Sequence, residues 1–152
     1  MPPRTTTDAL IRVRQADVEE AMRALQRARD AADRARTGRD QAVAARAALT
    51  ERMQRLNAAA ARTAGRLGQR DHYRAGLRAQ LDSAGARVDA TARALRDATQ
   101  ALAAAQAEVE RALRARDAAE AHRDADDKAE ARKRERRAQA AIDDCWRPPR
   151  RS

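Results

Sequence analysis

The residues able to do chemistry in this sequence are few and scattered. The histidines are His72 and His122, and the single cysteine is Cys145. A zinc site needs three or four Cys, His or acidic ligands converging at short spacings. Neither histidine has a cysteine or second histidine at such a spacing, so no metal site is signalled and both read as solvated surface groups. The acid pairs Asp126-Asp127 and Asp143-Asp144 are adjacent in sequence, which puts their members on different faces of a helix and not as a matched acid and base. No glycine-rich loop with a lysine is present to cradle phosphate, and no Gly-x-Ser-x-Gly turn presents a nucleophile. No cofactor is implied. Lys128 to Arg137 (KAEARKRERR) has the density of a nucleic-acid patch, but Glu130 and Glu135 interrupt it, and Asp124, Asp126 and Asp127 precede or border it. Mixed signs along a helix describe a solvated, ion-paired face.

The composition explains why so little chemistry is present. Alanine and arginine together fill 73 of the 152 positions, Phe is absent, and Leu, Ile and Val number 17. Close-packed globular cores are built from large aliphatic and aromatic side chains, and 17 are too few for one here. This argues against barrels, sandwiches and α/β folds, and against most enzymes, which need a walled pocket. The same residues are strong helix formers. Proline is confined to positions 2, 3, 148 and 149. One cysteine allows no intramolecular disulfide, no apolar run approaches a membrane span, and the N-terminus lacks the apolar stretch of a signal peptide. The expected location is cytoplasmic, with no membrane insertion.

The elements that must position any functional surface are helices of period seven. Leu81, Val88, Leu95, Leu102 and Val109 recur at that spacing, with a small-residue row at Ala84, Thr91, Ala98, Ala105, Ala112 and Ala119. Sustained heptads of this kind signal a coiled coil. The first half has its own rows. Ile11, Val18, Leu25 and Ala32 begin one that continues through Arg39 and Arg46 to Met53, Ala60 and Leu67, and Arg14, Ala21, Ala28, Ala35, Ala42, Leu49 and Leu56 form the other. The arginines at core positions are expected either to snorkel outward or to specify register. Gly65, Gly68 and Gly76 cluster between the two halves, and glycine commonly turns a chain out of a helix. The expected fold is all-α, a long antiparallel two-helix coiled-coil hairpin. Its expected parts are a flexible tail over 1–8 with Asp8 as N-cap, helix 1 over 9–64, a turn over 65–76, helix 2 over 77–146 and a C-terminal tail over 147–152.

Facing residues of an antiparallel pair have numbers with a constant sum. A sum of 151 sets Leu49 against Leu102, Leu56 against Leu95 and Met53 against Ala98, alternating large and small as packing requires. It leaves Leu10, Ile11, Val13, Val18, Met22 and Leu25 opposite a stretch of helix 2, Arg114 to Ala141, with no aliphatic residue larger than Ala. Tight Ala-rich pairing is one reading of that mismatch. The other is a partner-binding stripe, completed by Ile142 and Trp146 at the same end, since Trp is a favoured interface anchor. Trp146 closing the hairpin end against Leu10 or Ile11 is the alternative for that residue.

The two ends resemble a known family. Leu10-Ile11-Arg12-Val13-Arg14, Val18-Glu19-Glu20-Ala21 and Ala24-Leu25-Gln26-Arg27-Ala28 are similar to the opening helix of the small coiled-coil stalk proteins of type III secretion systems, the flagellar FliJ-like and YscO-like family with its Hrp-type members. Arg136-Arg137-Ala138-Gln139-Ala140-Ala141-Ile142-Asp143-Asp144-Cys145-Trp146 is similar to that family's closing basic run, aliphatic residue, acid pair and aromatic. The sequence departs from the pattern in having Cys145 before the terminal aromatic and a proline-ended tail. The resemblance implies a non-catalytic stalk at the cytoplasmic face of a secretion apparatus. Its helical ends would engage a hexameric secretion ATPase, and its hairpin tip an export-gate protein. It would assign Leu10, Ile11, Val13, Val18, Met22, Leu25, Ile142 and Trp146 to the ATPase. The tip residues Arg62, Arg66, Arg70, His72, Tyr73, Arg74 and Arg78, within the stretch 41–80 that carries eight basic and two acidic groups, would go to the gate. Two other classes compete. One is a self-assembling structural coiled coil, a homo-oligomer. The other is a nucleic-acid-associated coiled coil suggested by the net charge of +10, disfavoured because interleaved aromatics and an uninterrupted basic face are missing.

Overall fold

Helix starts at Arg4, ahead of the strong helix formers that dominate from residue 9 onward. The computed structural model describes residues 4–60 and 67–146, which form two α-helices, α1 (Arg4–Ala60) and α2 (Leu67–Cys145). They pack against each other as an all-α helical hairpin, the expected class. Several expected boundaries move. Residues 4–8 belong to α1 and are not a tail, so Asp8 lies inside the helix and does not cap it. Residues 67–76 belong to α2 and are not a turn. Gly68 and Gly76 are therefore helical, with no positive φ. A helical glycine costs about 1 kcal/mol relative to Ala, and flanking Leu, Gln, Arg and Ala outweigh two such costs over a helix of this length. Residues 61–66, between the two helices in sequence, and residues 147–152 lie outside the described residues. Trp146 ends α2 in a turn, its backbone N–H donating to the Ile142 carbonyl at 3.2 Å.

The chain divides into two compact units, Arg23–Ala107 and Met1–Met22 with Glu108–Ser152. In the first, Ala42, Ala45 and Leu49 line a concavity with Ala79, Gln80, Ser83, Ala84 and Arg87. Arg52 shares another with His72, Tyr73, Gly76 and Leu77. Facing numbers therefore sum to about 130, not 151. That register sets Leu49 level with Leu81, Met53 with Leu77, Ala35 with Leu95 and Ala28 with Leu102. Leu25, Ala32, Ala42 and Leu77 are buried, and Leu77 is 2% exposed.

In the second unit, Thr6, Thr7 and Leu10 border the same concavity as Ala119 and His122. Val18, Ala21, Val109 and Ala119 are buried there, along with the Thr7 side chain. A sum of about 130 sets Ala21 level with Val109 and Ile11 with Ala119. The buried residues of both helices belong to the heptad rows read from the sequence or extend them by one step, Leu77 ahead of Ala84 and Thr7 ahead of Arg14. Arg39 and Arg46 are exposed and Arg14 is half-exposed, bonded to Asp17 at 3.2 Å, so these arginines snorkel outward.

Candidate functional site

The expected partner stripe at the termini does not persist as drawn. Val18 and Leu25 are buried in the hairpin, where the observed register sets Val18 level with Ala112 and Leu25 level with Ala105. Ile11 is half-buried, while Leu10, Val13 and Met22 are exposed. These three share no face. At about 100° per residue, Val13 and Met22 point in opposite directions around α1.

Ile142 and Trp146, the remaining residues of that expected surface, lie on an exposed end of α2. Arg4, the first residue of α1, lies level with about residue 126, while α2 continues to Cys145. Every residue from 131 to 146 is exposed. Ile142 is 53% exposed and Trp146 83%, so Trp146 does not close the hairpin end against Leu10 or Ile11. This overhang carries Arg132, Lys133, Arg134, Arg136 and Arg137 against one acid, Glu135, and then Asp143 and Asp144. Its helix is held locally. Lys133 donates to Glu130 at 3.1 Å and Gln139 to Asp143 at 2.9 Å. The Lys133 hydrogen bond and charge, aided by Arg134 and Arg137, hold the Glu130 carboxyl below its ordinary range. Ala138, Ala141, Ile142 and Cys145 fall within an arc of about 100° and make a small apolar face.

The basic end beside residues 61–66 is built from 46–59 of α1 and 68–78 of α2. Its acids are Glu51 and Asp71. Arg55 pairs with Glu51 at 2.9 Å. The Arg52 guanidinium lies 5.4 Å from the centroid of the Tyr73 ring, a cation–π contact between the helices. Of the expected tip residues, His72, Tyr73 and Arg78 are exposed, and Arg70 and Arg74 are half-buried. Arg62 and Arg66 lie outside the described residues. The Arg74 Nε is buried without a hydrogen-bond partner, which leaves its terminal nitrogens as the groups able to meet an anion. Arg52 was not in the expected set. The signal that finds it is the register, since Arg52 comes level with Tyr73 and Leu77 only when the sum is about 130.

Among the described residues no group of three His, Cys, Asp or Glu side chains converges to hold a metal, and no helix is long and apolar enough to cross a membrane. His122 Nδ1 lies 3.1 Å from the Asp126 carboxylate, one turn on. The two ends present a basic surface with one aromatic, and a basic helix finishing in an aliphatic residue, an acid pair and an indole. No family model, no curated protein and no solved structure matches the chain.

Proposed function

We propose that the chain is a non-catalytic coiled-coil stalk of a type III secretion apparatus, acting in protein transport at its cytoplasmic face and, in a host-associated bacterium, in virulence. The overhanging end of α2 would bind the hexameric secretion ATPase, and the basic end beside residues 61–66 an export-gate protein. The observation that carries this reading is the overhang itself. The segment whose sequence resembles the family's closing motif is a continuous helix, exposed over its length, ending in Ile142 and Trp146. An exposed indole next to an aliphatic residue is an economical anchor for a protein groove.

This reading narrows the ATPase surface. Val18 and Leu25 are occupied within the hairpin and drop out of it. Ile142 and Trp146 carry it, with Leu10 and Val13 nearer the paired region. Deleting residues 139–152 is expected to abolish co-purification with the secretion ATPase from the native host. Far-ultraviolet dichroism should lose only the removed turns, because residues 139–146 are exposed throughout. Undiminished recovery of the ATPase by the deleted chain would overturn the assignment.

A further inference from the structure

We propose that the overhang of α2 is also a docking face for a second copy of this chain, paired antiparallel through residues 131–146. The inference stands apart from the proposed function, since it rests on the charge order and length of the exposed segment alone. Residues 132–137 carry five basic groups and one acid, and residues 143–144 are both acidic. Laid parallel, two overhangs set basic against basic. Laid antiparallel with facing numbers summing to about 280, each basic block meets the other copy's acid pair. Arg137 and Asp144 lie seven residues apart on one border of the apolar face, so the two-fold arrangement forms two equivalent Arg137–Asp144 pairs.

The apolar face fits the same register. Ala138 of one copy comes level with Ala141 and Ile142 of the other, small against large, so the backbones can approach closely. Trp146 reaches the level of residue 134 of the second copy, still inside the exposed stretch that begins at residue 131. The overlap of the described residues therefore falls wholly within the exposed part of each helix. The face is small and the segment keeps a net positive charge, so the dimer is weak. Its formation occupies Ile142, and any other protein that takes that residue competes with it.

The experiment is sedimentation of the full chain from a few micromolar to several hundred micromolar, with dichroism as the control for folding. The wild-type chain is expected to pass from monomer to dimer. Arg137→Asp and Asp144→Arg each set like charges together twice, and each is expected to weaken dimerisation about tenfold or more. The double swap, Arg137→Asp with Asp144→Arg in one chain, restores opposite charges and is expected to recover the dimer. Under an oxidant, Cys145 should not cross-link within the dimer, because antiparallel pairing holds the two thiols about 15 Å apart along the axis. A monomer throughout the range, a swap that fails to rescue, or ready formation of a Cys145–Cys145 disulfide in the dimer would each overturn the proposal.

Discussion

Gly76 and Leu77 are neighbours on α2 whose substitution to alanine should act in opposite directions. A Cβ built on Gly76 meets nothing within 4 Å, and its φ is not positive. Alanine there removes backbone freedom from the unfolded chain without strain, so Gly76→Ala is expected to stabilise the protein by about 0.5–1 kcal/mol. Gly38 and Gly85 are open in the same way and should behave alike. Leu77 is 2% exposed, and Leu77→Ala leaves a gap beside Arg52 and Tyr73, for a loss of about 2–3 kcal/mol. Urea unfolding of the single variants measures both signs. A destabilised Gly76→Ala would mean that residue 76 is not in regular helix. Leu77 also marks a limit of the sequence reading. With 65–76 taken as a turn, helix 2 began at Leu77, and the most buried side chain among the described residues went unnoticed at the end of a row that starts one heptad later.

At the scale of the helices, the heptad rows were legible and the pairing between them was not. Val18, Leu25 and Ala32 on one row, Ala21 and Ala42 on another and Val109 on a third are buried where their periodicity places them. A pattern that repeats every seven residues looks the same after sliding by whole heptads, however, and the expected and observed registers differ by about three of them. Sums of 151 and 130 both align row with row. Only the position of the turn separates them, and two helical glycines drew that position too far along the chain. The difference is measurable by cross-linking in a Cys145→Ser background. Ala45→Cys with Ala84→Cys, which line one concavity, should form an intramolecular cross-link. Leu49→Cys with Leu102→Cys, facing only under the longer sum, should not. The reverse result would restore the sum of 151 and remove the overhang with it. The same sliding accounts for the candidate site. Under the longer sum α1 appeared to carry the unsatisfied apolar residues. Under the observed one Val18 and Leu25 are satisfied and the end of α2 is left over.

For the whole molecule, the net charge of +10 is not spread evenly along the chain. Residues 41–80 hold eight basic and two acidic groups, and residues 131–152 hold eight and three. These two stretches contribute +6 and +5, so everything else together carries −1. The basic excess is thus concentrated around residues 61–66 and in the C-terminal stretch, and the rest of the chain is close to neutral. The ion pairs that accompany it are exposed and short in sequence span, such as Arg55–Glu51 and Lys133–Glu130, and each contributes little to stability. Nor does the overhang add buried surface within one copy, since residues 131–146 are all exposed. A chain ending at Glu130 is therefore expected to unfold at the same urea midpoint as the full chain when both are dilute, with a helical signal lower by the turns removed. At several hundred micromolar the two should part. The full chain gains apparent stability by mass action from pairing with a second copy, and the shortened chain gains none. A large loss of stability on truncation in dilute solution would place part of the hairpin's packing beyond residue 130. Equal concentration dependence in both chains would place any self-association elsewhere than on the overhang.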